Sequence, residues 1–370
     1  MNIVHVLSSF TFGGIERLIV DLAQVNHERR DASFSVIIIN HDYRPELVHS
    51  IRQLNVNLVL LDRPPGNAGT VPFYALRLRK AIKQLKPDIL HVHNRLSFFF
   101  TWLAAQGLSA KKIYTLHNTR LYNTGIRDLM IKNLAVKQVD AFIAISHAVK
   151  NDFSDNEHFK RKTTIIYNGI NLKKFKHAAA FRNPPIRMVC VAKLAHAQKG
   201  QDLLIHAISR LKSDGFPIEC LFVGEGVSRN LLQQLINDLA LEDCVHLLGG
   251  SDDVPALLTA SHIFVLPSRF EGLGIVIMEA MAAGLPIVAS ATDGIVELIE
   301  DGKTGLLFRP SDVQDLADKI KKLINGGLLR KQLSHNALEK AEGYSIETMY
   351  ARYLNVYASV CSSQTIANIE

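Results

Sequence analysis

Two carboxylates, Glu271 and Glu279, are separated by seven residues in a segment whose character changes between them. Residues 268–284 read Ser-Arg-Phe-Glu-Gly-Leu-Gly-Ile-Val-Ile-Met-Glu-Ala-Met-Ala-Ala-Gly, and they follow an apolar run, Ile263-Phe264-Val265-Leu266, ended by Pro267. Such a short, unbroken run reads as a buried parallel strand. Gly272 and Gly274, flanking Leu273, permit an unusual turn, after which a helix is predicted to begin near Ile275. On one continuous helix the carboxylates would lie ~12 Å and ~80° apart and face different ways. With Glu271 on a loop and Glu279 inside a helix, both can converge on one elongated ligand. The amides at the helix start offer an anion site between them. A sugar nucleotide matches that set, with a carboxylate for sugar hydroxyls, amides for the diphosphate and a carboxylate for the ribose.

Other residues could join this chemistry. Val191-Ala192-Lys193-Leu194 closes an apolar run, and Gln198-Lys199-Gly200-Gln201 opens the next helix. Two cations beside a phosphate site would neutralise a departing nucleotide, although either lysine alone reads as a solvated surface group. Phe12-Gly13-Gly14-Ile15-Glu16 follows the first strand; its glycines suit either a close phosphate approach or a simple tight turn, and the full Gly-x-Gly-x-x-Gly spacing is missing. His117 lies just past a strand. His91 and His93 end another strand on one sheet face, where a metal can be imagined, but no third and fourth ligand stands at a diagnostic spacing. They read as packed or hydrogen-bonded histidines. No Asp-x-Asp triplet occurs, so the phosphate work is expected to rest on lysines and amides rather than on a metal.

The frame Pro-Ser-x-x-Glu-Gly through Glu-Ala-x-Ala-x-Gly-x-Pro, completed by Gly284-Leu285-Pro286, resembles the signature of glycosyltransferase family 4. These are retaining, nucleotide-sugar-dependent transferases of the GT-B fold, and the resemblance extends over nearly the whole chain. It implies that Gly13 and Gly14 close over the donor diphosphate and that His117 approaches the transferred sugar. Lys193 and Lys199 would bind the donor, Lys193 standing where the family usually has arginine. Gly224, in Val223-Gly224-Glu225-Gly226, would approach the nucleotide, and Leu248 lies where the base is commonly met through backbone groups. Gly272, Leu273 and Gly274 complete the donor loop. Tyr167-Asn168-Gly169-Ile170-Asn171 resembles a family turn in which an acidic residue is usual at the place of Asn171.

Positioning these groups requires α/β units. Strand-like runs cover residues 3–7, 35–40, 57–61, 89–92, 113–116, 141–145 and 164–167, then 187–192, 218–223, 245–248, 263–266, 286–289 and 305–308. Amphipathic stretches alternate with them, which predicts parallel sheets. The expected organisation is two Rossmann-like domains facing across a cleft, residues 1–175 on the acceptor side and 187–344 on the nucleotide-sugar side. Residues 176–186 would be the linker, and a helix within 345–370 would pack back on the first domain, as the resemblance implies.

The 370 residues are 48% apolar and 21% charged, which is ordinary for globular domains. Cys190, Cys220, Cys244 and Cys361 form no Cys-x-x-Cys pair and read as buried reduced thiols. The start of the chain reads as a first strand rather than a signal peptide, and no run approaches the ~20 apolar residues that span a bilayer. Residues 1–175 carry 24 Lys and Arg against 13 Asp and Glu, a net of +11, and the remainder carries −4. No nucleic-acid-binding motif accompanies this charge, so an anionic membrane surface or lipid-linked acceptor is the expected partner. Arg77, Arg79, Lys80, Lys83 and Lys86 lie on one helical stretch that reads equally as a solvated helix face, and Phe98, Phe99, Phe100 and Trp102 could add an apolar contact but read rather as core.

Together these readings predict a cytoplasmic, peripheral, retaining hexosyltransferase using a nucleoside-diphosphate sugar, a UDP-sugar slightly in preference to a GDP-sugar, without a cofactor or metal, to build an envelope glycan such as lipopolysaccharide, O-antigen or capsule. A GT-B epimerase or phosphorylase, or a non-catalytic sugar-nucleotide-binding scaffold, are the alternatives.

Overall fold

The structure, a computed structural model, describes residues 1–11, 13–64, 68–119, 126–153, 156–175, 185–251 and 253–362. The chain divides into two compact units, Met1–Gly169 with the C-terminal segment from Ile346, and Ile170–Ser345.

The first unit is built on seven strands: β1 (Asn2–Leu7), β2 (Ser33–Asn40), β3 (Asn57–Arg63), β4 (Ile89–Val92), β5 (Lys111–Leu116), β6 (Ala141–Ala144) and β7 (Thr163–Ile165). They form one parallel sheet in the order β3-β2-β1-β4-β5-β6-β7. Continuous apolar runs give continuous burial here, because helices cover both sheet faces. Strand order reverses direction between β1 and β4, the point at which doubly wound sheets open a crevice for ligands.

Helix Gly14–Arg29 and the last helix, Ile346–Cys361, pack against one another within this unit. Ile346, Met349, Tyr350, Tyr353, Val356, Tyr357 and Val360 of that last helix are buried in one apolar cluster with Ile3, Leu7, Ile89 and Ile113. Their spacing is the stripe of an amphipathic helix turned to the sheet.

The second unit repeats the plan with β8 (Ile186–Val191), β9 (Ile218–Val223), β10 (Val245–Gly249), β11 (Ile263–Leu266), β12 (Ile287–Ser290) and β13 (Leu306–Phe308). The order β10-β9-β8-β11-β12-β13 is again parallel, with its reversal between β8 and β11. Each predicted run is a strand, its ends moved by at most two residues.

Several expectations need correction. Ile186 belongs to β8 rather than to a linker, and 176–184 lie outside the described residues. Cys361 is exposed, unlike the buried Cys190, Cys220 and Cys244. Arg79 is not a free surface cation: its guanidinium donates to the carbonyls of Ala104 (2.8 Å) and Gln106 (2.7 Å), closing the C-terminus of helix Arg95–Ala104. That is the favoured place for a cation on a helix. Phe98 and Phe100 are core, as expected, whereas Phe99 and Trp102 are only half-buried. Phe12, Pro65 and Gly66 lie outside the described residues.

Candidate active site

The reversal point of the second unit gathers the charged residues. The loop after β8 carries Lys193, exposed, and leads into the short helix His196–Lys199. The loop after β11 carries Ser268, Arg269 and Glu271. Lys199 and Glu271 form an ion pair across the two loops, with side chains 16% and 12% exposed. So shielded a pair keeps much of its Coulomb attraction but holds both groups out of bulk water. Ser268 Oγ donates to the same Glu271 oxygen at 3.3 Å.

The two loops are locked together by more than this pair. Arg269 grips Asp202 through two parallel bonds of 2.8 and 2.7 Å and donates to the His196 carbonyl at 2.6 Å. Its backbone amide donates to Gln198 O at 2.8 Å. Burial, the largest single effect, would raise the Asp202 carboxyl, but the hydrogen bonds and charge of Arg269, a backbone hydrogen bond and the nearby His196 together hold it below its ordinary value. Gly200 joins helix His196–Lys199 to helix Gln201–Ser213 with φ +65°, and a Cβ there would fall 2.0 Å from Pro267 O. Only glycine allows that approach. Buried Gln201 donates to Lys193 O at 2.8 Å.

On its other flank, the Glu271 amide donates to Asp293 Oδ2 at 3.1 Å, Thr292 Oγ1 donates to Arg269 O at 3.2 Å, and Ser290 Oγ donates to Ser268 O. Glu271 is therefore held by neighbours on three sides.

Helix Ile275–Ala282 begins where the sequence places it. Gly274 caps it at φ +86°, ψ 64°, a left-handed conformation that a side chain would strain, so the chain turns sharply between Glu271 and Glu279. Glu279 is half-buried within the helix. Leu273 is buried, so its side chain belongs to the core and only its backbone could meet a ligand. Gly224 follows β9 and donates its amide to Gly249 O at 2.7 Å. Leu248, at the end of β10, is 47% exposed, unusual for leucine.

The reversal point of the first unit is chemically different. His5 on β1, His91 on β4, and His93 and His117 just past β4 and β5 form one buried column. His5 Nδ1 lies 2.9 Å from His93 Nε2, and His93 Nδ1 lies 3.2 Å from His117 Nε2. His91 bonds Tyr357 OH and Thr115 Oγ1, each at 2.6 Å. Burial disfavours the imidazolium, pushing His5 and His117 down to about 3 and His91 and His93 well below the ordinary value, with the neighbouring rings adding to the effect on these last two. At neutral pH all four are uncharged.

The candidate ligand atoms of His5, His91 and His93 lie within 4.8 Å of one another. Both His91 nitrogens are already engaged, so a metal there would have to displace one of two short hydrogen bonds. The turn after His93 is fixed by Asn94, whose side chain caps helix Arg95–Ala104 in a reciprocal box with Ser97. At the loop after β1, Gly13 precedes helix Gly14–Arg29, and the Glu16 carboxylate presses on it: a Cβ on Gly13 would meet Glu16 Oε2 at 2.2 Å. The helix start proposed for phosphate thus already has an anion beside it. Burial raises that carboxyl above its ordinary value.

Sequence reasoning missed His5, Arg269, Asp202 and Asp293. His5 was signalled by its place, a lone polar residue in the apolar run of β1. Asp202 and Asp293 come from other segments and acquire meaning only through the β8–β11–β12 adjacency. Asn171, placed where an acidic residue is usual, accepts the Lys173 amide at 3.1 Å, a bond a carboxylate would also make.

Two parallel, doubly wound units of this kind match the architecture of the GT-B class. The family described as Glycosyltransferase Family 4 matches residues 12–174, and Glycosyl transferases group 1 matches residues 173–340. An uncharacterized glycosyltransferase of Haemophilus influenzae is 30% identical over 284 residues, covering 76% of this chain and 79% of that one. The N-acetyl-alpha-D-glucosaminyl L-malate synthase of Bacillus anthracis is 27% identical over 301 residues, covering 77% and 78%. Among solved structures, Anabaena HepE in complex with UDP and glucose superposes with a TM-score of 0.84 at 23% identity, over 97% of this chain and 100% of that one. The chain belongs to glycosyltransferase family 4 and is a glycosyltransferase.

Proposed function

We propose that this enzyme moves a hexose-type sugar from a UDP-sugar, with retention of anomeric configuration, to a glycan or glycolipid of the cell envelope, without an essential divalent metal. The observation that carries the reading is the Lys199–Glu271 pair at the β8–β11 reversal point. In the resting site Glu271 neutralises Lys199; donor diphosphate takes over that cation and frees the carboxylate for sugar hydroxyls. Lys199, with Lys193, stabilises the charge that develops on the leaving diphosphate. Amides of Gly272, Leu273 and Gly274 meet its oxygens, Glu279 takes the ribose, and Gly224 and Leu248 border the base. Gly13 and Gly14 take the diphosphate from the first unit, and His117 approaches the transferred sugar. The UDP held by HepE and the N-acetylglucosaminyl group named for the Bacillus relative favour a UDP-linked hexose.

An envelope acceptor and peripheral membrane attachment draw on the net charge of +11 carried by residues 1–175. Helix Val71–Leu85 exposes Phe73 (58%) and Leu76 (67%) beside exposed Arg77, Lys80 and Lys83. Apolar side chains among cations suit an anionic lipid surface. No described helix is long and apolar enough to cross a membrane.

A thermal-shift panel of nucleotide sugars tests the donor, since a ligand bound only by the native state raises apparent stability. UDP-hexoses are expected to raise the melting temperature and to give product equally with and without chelator. Stabilisation by GDP-sugars alone, or transfer abolished by chelator and restored by manganese, would overturn this reading.

A further inference from the structure

We propose that His5 and His93 are positioning residues for His117: the three imidazoles form one hydrogen-bonded chain that holds every ring as the Nε2–H tautomer and presents the His117 Nδ1 lone pair to an incoming hydroxyl. Any catalytic meaning of this chain rests on the reading of His117 given above.

The proton count leaves two arrangements. Three neutral rings carry one N–H each, and each contact, His5 Nδ1–His93 Nε2 and His93 Nδ1–His117 Nε2, consumes one donor and one acceptor. The remaining proton sits at His5 Nε2, with all rings Nε2–H, or at His117 Nδ1, with all rings Nδ1–H. Both arrangements satisfy the two contacts; a neutral imidazole free of constraint favours Nε2–H, so only the first gives all three rings their preferred tautomer at once.

His117 Nδ1 is buried and has no partner among the described residues. An unpaired buried polar atom is costly, so its retention points to a partner that arrives with the substrate. The support behind the chain is stiff. His5 stacks on Phe34 at 4.5 Å and His93 on His5 at 5.1 Å, while His91, 4.2 Å from His93, is anchored by Tyr357 and Thr115. His91 has no free nitrogen for the chain and serves as its wall.

Histidine-15N two-bond correlation spectra of the full chain at pH 7 test this directly. In the wild type, His5, His93 and His117 are each expected as a single Nε2–H tautomer, with the His117 Nε2 proton protected from exchange. His93→Phe keeps a ring in the stack but removes both bonds, so that proton should lose protection. His93→Asn, whose side-chain oxygen replaces Nδ1 as acceptor, should restore it. In transfer assays, His93→Phe should lower kcat by at least ~10-fold with the donor KM unchanged, and His93→Asn should recover most of the loss. An Nδ1–H tautomer for His117 in the wild type, or a His117 signal indifferent to His93→Phe, would overturn the chain whatever the kinetics. If the spectra agree while His117→Ala transfers sugar normally, the chain stands and the reading of His117 as a reacting-site residue falls.

Discussion

The two reversal points occupy the same place in the same topology and hold opposite chemistry. Between β1 and β4 lie four neutral imidazoles tied to one another, to Tyr357 and to Thr115. Between β8 and β11 lie two ion pairs, Lys199–Glu271 and Arg269–Asp202. Doubly wound sheets supply a crevice at each such point, and the strand-end residues decide what it can do. A buried neutral column can exchange hydrogen bonds with sugar hydroxyls but offers no countercharge. A shielded cation, held by a carboxylate it can release, suits a departing diphosphate. On the function proposed above, the charge-bearing part of the reaction belongs to the second unit and the hydroxyl-reading part to the first.

The assignment is broken most readily at Lys199. Lys199→Ala should lower kcat by ~10²–10³, because it removes the cation beside the developing negative charge. Single-turnover transfer with saturating donor measures this; a fall confined to acceptor KM would contradict the role.

Acid should separate the units next. A histidine held neutral has a folded pKa below its unfolded one, so the unfolded chain binds more protons as pH falls below ~6.5. Stability from such a group is complete above that value and is lost as pH falls toward the folded pKa, about 3 for His5 and His117. Each contributes a slope of ~1.4 kcal/mol per pH unit within the window. The first unit has four such histidines, whereas among described residues the second has only His262. Trp102, the one tryptophan, reports on the first unit. Its urea midpoint should fall between pH 7 and 5 by more than the midpoint of overall helicity. Midpoints that fall together, or not at all, would remove the contrast.

A smaller effect separates the basic residues of helix Val71–Leu85. Charge reversal at Arg77, Lys80 and Lys83 should weaken binding to anionic vesicles by ~1 kcal/mol per residue, with salt weakening the wild type likewise. Arg79→Ala should instead lower thermal stability by ~1.5–3 kcal/mol, since its bonds close a helix end, while leaving vesicle binding within twofold of wild type. Co-sedimentation beside calorimetry checks both; binding indifferent to lipid charge and to the triple reversal would remove the electrostatic attachment.

The second site was more legible in the sequence than the first, for physical reasons. Glu271, Gly274 and Glu279 lie within nine residues, so local rules suffice: an apolar strand, glycines at a forced turn, then a helix from Ile275. Lys199 could be joined to them because it stands just before the long helix that follows the neighbouring strand. The histidine column draws on β1, β4 and β5, and its closure by Tyr357 comes from the far end of the chain. No local period connects His5 to His93, and only the strand order β1-β4-β5 makes them neighbours. Arg79 was misread for the same reason, since its carbonyl partners belong to the next helix.

Free UDP affinity of wild type, Glu279→Ala and Glu271→Ala, measured by titration calorimetry, tests the central claim that the second reversal point holds the donor with one carboxylate on the ribose and the other on the sugar. Glu279→Ala should weaken UDP by roughly 10–100-fold, the loss of one charged hydrogen bond of ~1.5–3 kcal/mol, while Glu271→Ala, which touches only the sugar, should bind UDP no more weakly than wild type yet lose transfer. Equal UDP affinity in wild type and Glu279→Ala would contradict the assignment.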